Sequence, residues 1–460
     1  MDPIGHVASK LEAKAASFVK EHRLAGAATG IVHGDSLAWF DGVGFADIAA
    51  RRAPEVTTLY RVASITKTFT GTAILQLRDE GTLHLDDPAV VHLPELASMT
   101  SPFGAIESVT IRRMLSHESG LQGDPPGTDW WVPDYEGSAE RNLARAGEVT
   151  TTVPPNTQQK YSNLAYQLLG EIVTRRSGVP YPEYVRTRIL DPLRMHGSGF
   201  EPLPETLLGR RATGYAARFL SDELDLASLP PTVWAEGGLW SSVEDLGRWL
   251  SFQFREDGGA REGAQILAGE TLKEMHKARY LGDDAWTEAF CISWYAARKG
   301  EVIWIQHGGR LNGFITNICF DPKERVGAIV LLNGIADAAA LSMELAAIAR
   351  DAVRQAAPPI EPAAPMPPAF RDLLGMYVDE EQAMIARVEW RDGALQIVDP
   401  DDEAWRPTLV PTENPDVFVI APGVRESGER VTFSRRLDGR ATSMFLAVAT
   451  MVRFGPVGAD

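Results

Sequence analysis

The chain has 460 residues, about three times a typical domain, and its 44% apolar and 23% charged content is that of ordinary globular protein. Acidic residues outnumber basic ones 62 to 45, for a formal net charge of −17. That balance argues against a general nucleic-acid binder and against docking on an anionic membrane surface. No stretch reaches the roughly 18 apolar residues of a membrane span. Residues 24–32 follow Lys20 and Arg23 but are too few and begin too late for a signal peptide, and they read as a buried strand. A cytoplasmic location is therefore expected, with a mature exported form left open. Cys291 and Cys319 form no C-x-x-C pair and suggest neither a disulfide scaffold nor a thiolate zinc site.

In chain order, Val7, Leu11, Ala15 and Phe18 recur at helical spacing. Residues 25–32 and 36–43 read as two strands joined by His33-Gly34-Asp35. A second helix runs from Ser64 to Glu80, stopped by Gly81. Helical segments then dominate to about residue 255, interrupted by loops such as residues 122–136 with Trp130, Trp131 and Tyr135. Runs 289–298, 301–307, 313–320 and 325–333 predict four strands of an antiparallel meander, and residues 338–355 a helix. Strands at both ends of a region with helices between them predict one mixed sheet and a helical lobe. Residues 357–369 carry Pro358, Pro359, Pro362, Pro365, Pro367 and Pro368, a stiff extended spacer. Beyond it, alternation at residues 386–391, the turn Asp392-Gly393, a second turn at residues 438–439 and further runs at 417–421, 430–436 and 442–454 predict a small all-β domain.

Familiar motifs fail: there is no phosphate-binding loop, no G-x-S-x-G elbow and no H-E-x-x-H. The nine histidines lack metal-ligand spacing, and Asp86-Asp87 reads as a solvated turn. Neither metal nor cofactor is expected. Two Ser-x-x-Lys pairs occur. Ser17 to Lys20 lies in the first amphipathic helix and reads as surface. Ser64-Ile65-Thr66-Lys67 opens a helix, where backbone N–H groups favour developing negative charge. Lys67 returns to the face of Ser64 one turn later, and a hydroxyl beside an amine suits an activated nucleophile. Ser64 as a helix N-cap is the competing reading. Tyr161-Ser162-Asn163 starts another helical run, with Asn163 as a cap the alternative. His307-Gly308-Gly309 ends an apolar strand; a plain β-turn is the alternative, although paired glycines leave a strand edge open to anything lying against it.

Ser-x-x-Lys, Tyr-x-Asn and a Lys/His-x-Gly strand motif, in this order and at these separations, resemble the penicillin-recognising serine hydrolases. That superfamily holds class C β-lactamases, D,D-peptidases, D-aminopeptidases and β-lactamase-like carboxylesterases. Leu59-Tyr60-Arg61-Val62-Ala63-Ser64, Met114-Leu115-Ser116-His117-Glu118-Ser119-Gly120-Leu121, Asp191-Pro192-Leu193 and Glu236-Gly237-Gly238-Leu239-Trp240-Ser241-Ser242 match its text as well. The resemblance covers about residues 10–355 and implies an α/β β-lactamase-like fold, an antiparallel sheet flanked by helices plus a helical lobe. A lipocalin-like β-barrel over residues 370–460 follows, so the expected division is 1–356, a linker 357–369, and 370–460.

The resemblance implies that Ser64 attacks a carbonyl and forms an acyl-enzyme. Lys67 would take the serine proton, which needs a neutral amine and hence burial. Tyr161 is the competing base and would relay the proton to the leaving group, and Asn163 would hold Lys67 and the substrate. The backbone N–H groups of Ser64 and Arg310 would hold the oxyanion. Gly308, Gly309, Gln122, Trp130, Trp131, Tyr135 and Trp234 are candidate substrate contacts. Penicillin-active members usually carry Lys where this chain has His307. A histidine with a pKa of about 6.5 is mostly neutral at pH 7, which favours neutral esters or amides of D-residues over β-lactams, while Arg310 could return a positive charge. The expected function is thus a serine esterase or D-residue-specific peptidase acting on a small molecule. β-Lactamase or acyltransferase chemistry at the same site stays open, as does a non-catalytic ligand-binding or assembly protein on this fold. The barrel could be a folding partner, a homo-oligomer contact or a wall of the site, or could hold an apolar ligand.

Overall fold

The computed structural model describes residues 2–125, 139–215, 234–256, 264–311, 313–356, 365–379, 384–400, 402, 405–437, 439–446 and 449–454. The chain divides into two compact units, Met1–Ala356 and Ala357–Asp460. Among the described residues no helix is long and apolar enough to cross a membrane.

The first unit is built on strands β1 (Gly26–His33), β2 (Ser36–Gly44), β3 (Tyr60–Arg61), β4 (Trp240–Ser241), β5 (Tyr280–Leu281), β6 (Glu288–Phe290), β7 (Tyr295–Lys299), β8 (Val302–Leu311), β9 (Phe314–Asp321) and β10 (Val326–Leu332). Eight of them form an antiparallel sheet in the order β2-β1-β10-β9-β8-β7-β6-β5. The N-terminal hairpin thus completes a sheet begun by the later meander, as expected of non-adjacent segments sharing one sheet. Central strands read as continuous apolar runs because both faces are covered. Ile329 and Leu331 enter the larger core, whereas Ala328 and Val330 enter a second core with Leu341 and Leu345 of helix Ala338–Ala356. Helix α1 (Ala8–Glu21) contributes Leu11 and Phe18 to that second core.

Two differences from the sequence reading matter. The run 289–298 is two strands, β6 and β7, because the chain reverses at residues 291–294, with Ser293 at φ +60°. The anticipated loop at residues 308–312 is instead strand: β8 continues through Gly308, Gly309 and Arg310 to Leu311, paired with β9 throughout. The glycines therefore offer a strand edge rather than a turn.

On the opposite face of the sheet lies helix α2 (Thr66–Asp79), buried from Thr66 to Leu77. Its apolar groups alternate with threonines that would be costly to bury unpaired. Thr68 and Thr72 donate back to the carbonyls of Ile65 and Thr68, which removes that cost locally. Phe69 of α2 stacks on Trp249 at a centroid separation of 3.9 Å.

The second unit is a closed antiparallel barrel of eight strands: β11 (Gly375–Asp379), β12 (Met384–Arg391), β13 (Ala394–Val398), β14 (Thr408–Pro411), β15 (Val417–Ile420), β16 (Arg430–Arg435), β17 (Ala441–Leu446) and β18 (Ala449–Phe454). Asp392 and Gly393 both take positive φ, 52° and 76°, the geometry of a tight hairpin turn. The run 442–454 is two strands, and β14 carried too few alternating residues to be read in advance. Leu395, Ile397, Phe418, Phe433, Met444 and Met451 point inward and are buried, so the interior is a side-chain core, as the small diameter of an eight-stranded barrel permits. Pro368 begins a 3-10 helix, Pro368–Leu373, so the spacer expected to reach residue 369 ends sooner; residues 357–364 lie outside those described.

Truncating Trp249 to Ala removes a fully buried ring and is expected to destabilise the first unit by about 3–5 kcal/mol, read from chemical denaturation followed by circular dichroism.

Candidate active site

The strand pair β3–β4 brings the segment before Ser64 beside the segment after Glu236, with Tyr60 opposite Ser241 and Arg61 opposite Trp240. From β3 the chain enters the 3-10 turn Ala63–Ile65 and then α2. Ser64 thus lies one turn ahead of the α-helix. The capping alternative is not realised: the N-cap position is Ile65, without a side-chain capping bond. Ala63 has φ +47°, an uncommon conformation for a residue with a Cβ and one that concentrates at functional sites. It is held by Thr66, whose hydroxyl donates to the Ala63 carbonyl at 2.6 Å and accepts from the Leu239 amide at 3.1 Å.

Lys67 is fully buried. Its Nζ donates to Ser64 Oγ at 3.1 Å, Asn163 Oδ1 at 2.8 Å and the Glu236 carbonyl oxygen at 2.6 Å. Three distant stretches therefore meet at one nitrogen. Its position also lies 5.0 Å from the ring centre of Tyr161 and 5.4 Å from that of Tyr166. Asn163 is available for this contact because it does not cap its helix. The N-cap of Asn163–Ser177 is Ser162, whose hydroxyl accepts from the Ala165 amide at 3.0 Å. The Asn163 Nδ2 donates to Asp124 Oδ1 at 2.8 Å, fixing the amide orientation.

β8 closes the other side. A Cβ on Gly309 would stand 2.1 Å from the Val62 carbonyl oxygen, so only glycine lets the strand approach the turn bearing Ser64. Thr316 of β9 donates its hydroxyl to the same carbonyl at 3.1 Å. The result is a cavity of about 660 Å³ whose wall includes Ser64, Tyr161, Asn163, Glu236, Tyr295, His307, Gly308, Gly309 and Arg310.

His307 is buried, and its Nδ1 donates to the Gly308 carbonyl at 2.7 Å, which assigns the proton to Nδ1 and leaves Nε2 a bare acceptor. Burial first, and Lys67 second, push its pKa down to about 3, so this position of the wall carries no permanent cation. His117, absent from the candidate residues, is held well below the ordinary histidine range by burial and then by Lys67. Its Nδ1 accepts the Ser162 amide at 3.1 Å and its ring lies 4.3 Å from that of Tyr161. The Ser-His-Glu-Ser-Gly text thus supports the Tyr-x-Asn turn. Glu236 is the other residue missed. Its place in a recognised string was the available signal, but nothing in the sequence tells that its carbonyl meets Lys67.

The remaining candidates fare differently. Gln122 is not part of the cavity wall; its amide donates to the Asp124 carbonyl at 2.9 Å and accepts from the Thr150 amide at 2.9 Å, bracing the loop. Trp234 packs against the larger core rather than lining the cavity. Trp130, Trp131 and Tyr135 lie outside the described residues. Ser17 donates to Glu21 on the exposed face of α1, in keeping with a surface role. Asp86 pairs with Arg112 at 2.7 Å, and Asp87 accepts from the His84 amide at 2.8 Å. Both are structural.

The sequence model of the beta-lactamase family matches residues 11–351. The chain belongs to the beta-lactamase family. This family comprises the penicillin-recognising serine hydrolases, which as a class work through an acyl-enzyme. The protein named flp of Staphylococcus aureus strain COL is 27% identical over 331 residues, 68% of this chain and 61% of its own length. The chain thus spans about three-fifths of such relatives. Among solved structures, an octameric penicillin-binding protein homologue from Pyrococcus abyssi superposes with a TM-score of 0.63 at 23% identity, covering 97% of this chain and 99% of its own. A beta-lactamase/D-alanine carboxypeptidase from Yersinia pestis superposes with a TM-score of 0.63 at 22% identity, covering 76% and 99%. The beta-lactamase fold accounts for the first unit, and the longer match extends over both.

Two outcomes follow. Gly309→Ala should slow reaction of Ser64 with a fluorophosphonate by about 100-fold, the cost of displacing an active-site strand by roughly 1 Å, measured as labelling rate. Because folded His307 and His117 resist protonation, the unfolded chain binds more protons once pH falls below about 6.5. Stability should therefore decline on acidification from that pH toward the depressed folded values, and His307→Gln should flatten the decline in denaturant titrations at pH 7, 6 and 5.

Proposed function

We propose that this protein hydrolyses carboxylic esters or amides of small molecules through an acyl-enzyme on Ser64. The observation that carries the reading is the bonding of Lys67. Asn163 Oδ1 and the Glu236 carbonyl are acceptors only, so in the neutral amine they take its two N–H bonds. The lone pair is then left facing Ser64 Oγ at 3.1 Å. Ser64 attacks the carbonyl carbon as its proton passes to Lys67. The new oxyanion is received by the backbone N–H groups of Ser64 and Arg310, each such donor being worth roughly 3–4 kcal/mol in acyl transfer. Tyr161, on the cavity wall beside Lys67, gives its proton to the leaving oxygen or nitrogen and takes up the one held by Lys67, so that both groups end as they began. Water then attacks the acyl-enzyme by the reverse proton route.

Substrate preference follows from the charge of the wall. Neutral His307 does not attract a carboxylate, which supports neutral esters and amides of D-residues ahead of β-lactams. Arg310 is exposed on the same wall and is the one counterweight. The description of the Pyrococcus abyssi neighbour as octameric supports a homo-oligomer for this chain.

Fluorophosphonate should label the wild-type protein and not Ser64→Ala, and Ser64→Ala should lose about 10⁴-fold or more in turnover. Across p-nitrophenyl esters, D- and L-aminoacyl p-nitroanilides and nitrocefin, an ester or a D-anilide should be turned over faster than nitrocefin. Wild-type labelling no greater than that of Ser64→Ala would instead favour a non-catalytic member of the family.

A further inference from the structure

Among the described residues of the cavity wall, Glu236 is the carboxyl that is almost wholly buried, with 1% exposure. Gln167 Nε2 donates to its Oε1 at 2.5 Å, and Gln167 is itself held by Asn142, whose Nδ2 donates to Gln167 Oε1 at 2.5 Å. Oε2 is buried and makes no hydrogen bond to another described residue. The same residue offers its backbone carbonyl to Lys67 at 2.6 Å. The amine thus meets the carbonyl of Glu236, while its side chain stands nearby in the same low-dielectric pocket. There a unit charge is felt over several ångströms with little screening.

We infer that Glu236 is a positioning residue whose ionised side chain stabilises the ammonium that Lys67 becomes on taking the proton of Ser64. This rests on the acyl-enzyme reading above. One proton moves, from Ser64 Oγ to Lys67 Nζ, and Glu236 neither gives nor takes a proton in that step. The ionisable groups that face Glu236 are Lys67 from α2, Asp124 from the segment before Pro125, and the Tyr181 phenol, whose own ionisation Glu236 opposes. Burial raises the Glu236 pKa to about 7, with Gln167 and Lys67 opposing the rise and Asp124 adding to it. The carboxyl therefore changes charge within the range where a hydrolase works. As a carboxylate it holds the proton that Lys67 takes from Ser64 more firmly. As a neutral acid it does not.

The test is the pH dependence of fluorophosphonate labelling of Ser64 in the full chain, compared between wild type and Glu236→Gln. Removing the charge should move the acid limb of the rate to lower pH by about one unit, the usual effect of a close opposite charge. It should also lower the alkaline plateau by about tenfold, since a weaker base takes the proton less readily. A purely structural loss would scale the whole profile and leave the limb in place, and that outcome overturns the inference while the acyl-enzyme reading stands. Gln167→Met withdraws the donor that favours the carboxylate without touching the Ser64–Lys67 pair. It should move the limb the same way by a smaller amount, and it provides the readout if Glu236→Gln does not fold. An unmoved limb in Gln167→Met counts against the inference equally. Failure of wild type to label at any pH overturns both this inference and the acyl-enzyme reading.

Discussion

The site depends on one nitrogen. A lysine amine with no exposure to solvent must find its hydrogen-bond partners inside the protein, and Lys67 finds three: a side chain from its own helix turn, an amide 96 positions later and a carbonyl 169 positions later. Each partner belongs to a different segment of the chain. The strand pair β3–β4 and the capped helix Asn163–Ser177 place its partners, and the glycine approach of β8 closes the turn that bears Ser64. Withdrawing either Asn163 or Glu236 leaves the buried amine short of an acceptor.

Burial also sets the charge of the surroundings. His117 and His307 are driven toward neutrality mainly by loss of solvent and then by the nearby lysine, whereas Glu236 is driven toward protonation by the same loss of solvent. The pocket thus suppresses charge of either sign on groups that water would leave ionised or near their midpoint. A cavity wall of this kind concentrates the remaining electrostatic work on few atoms, and the free Nε2 of His307 adds an acceptor rather than a cation.

Much of the architecture was legible because periodicity and turn chemistry are local. Helix α1, the hairpin β1–β2, the stop at Gly81 and the turn Asp392-Gly393 all follow from residues within a few positions of each other. The misreadings have a common origin. Gly308-Gly309 resembles turn text, yet pairing with β9 keeps it extended to Leu311. Residues 289–298 look like one strand because the reversal at Ser293 uses no glycine or proline. Gln122 sits near the Tyr-x-Asn helix but spends its amide on its own loop.

By itself the sequence determined the family, the order of its motifs and the chemical types that an acyl-transfer site needs, because side-chain chemistry and short-range spacing are written in the chain. Tertiary structure alone decided that Asn163 faces Lys67 while Ser162 takes the cap, that Gly309 abuts the Val62 carbonyl, and that Glu236 stands beside the amine. Those facts rest on contacts between segments far apart in the chain, and on solvent exclusion, which is a property of the packed whole.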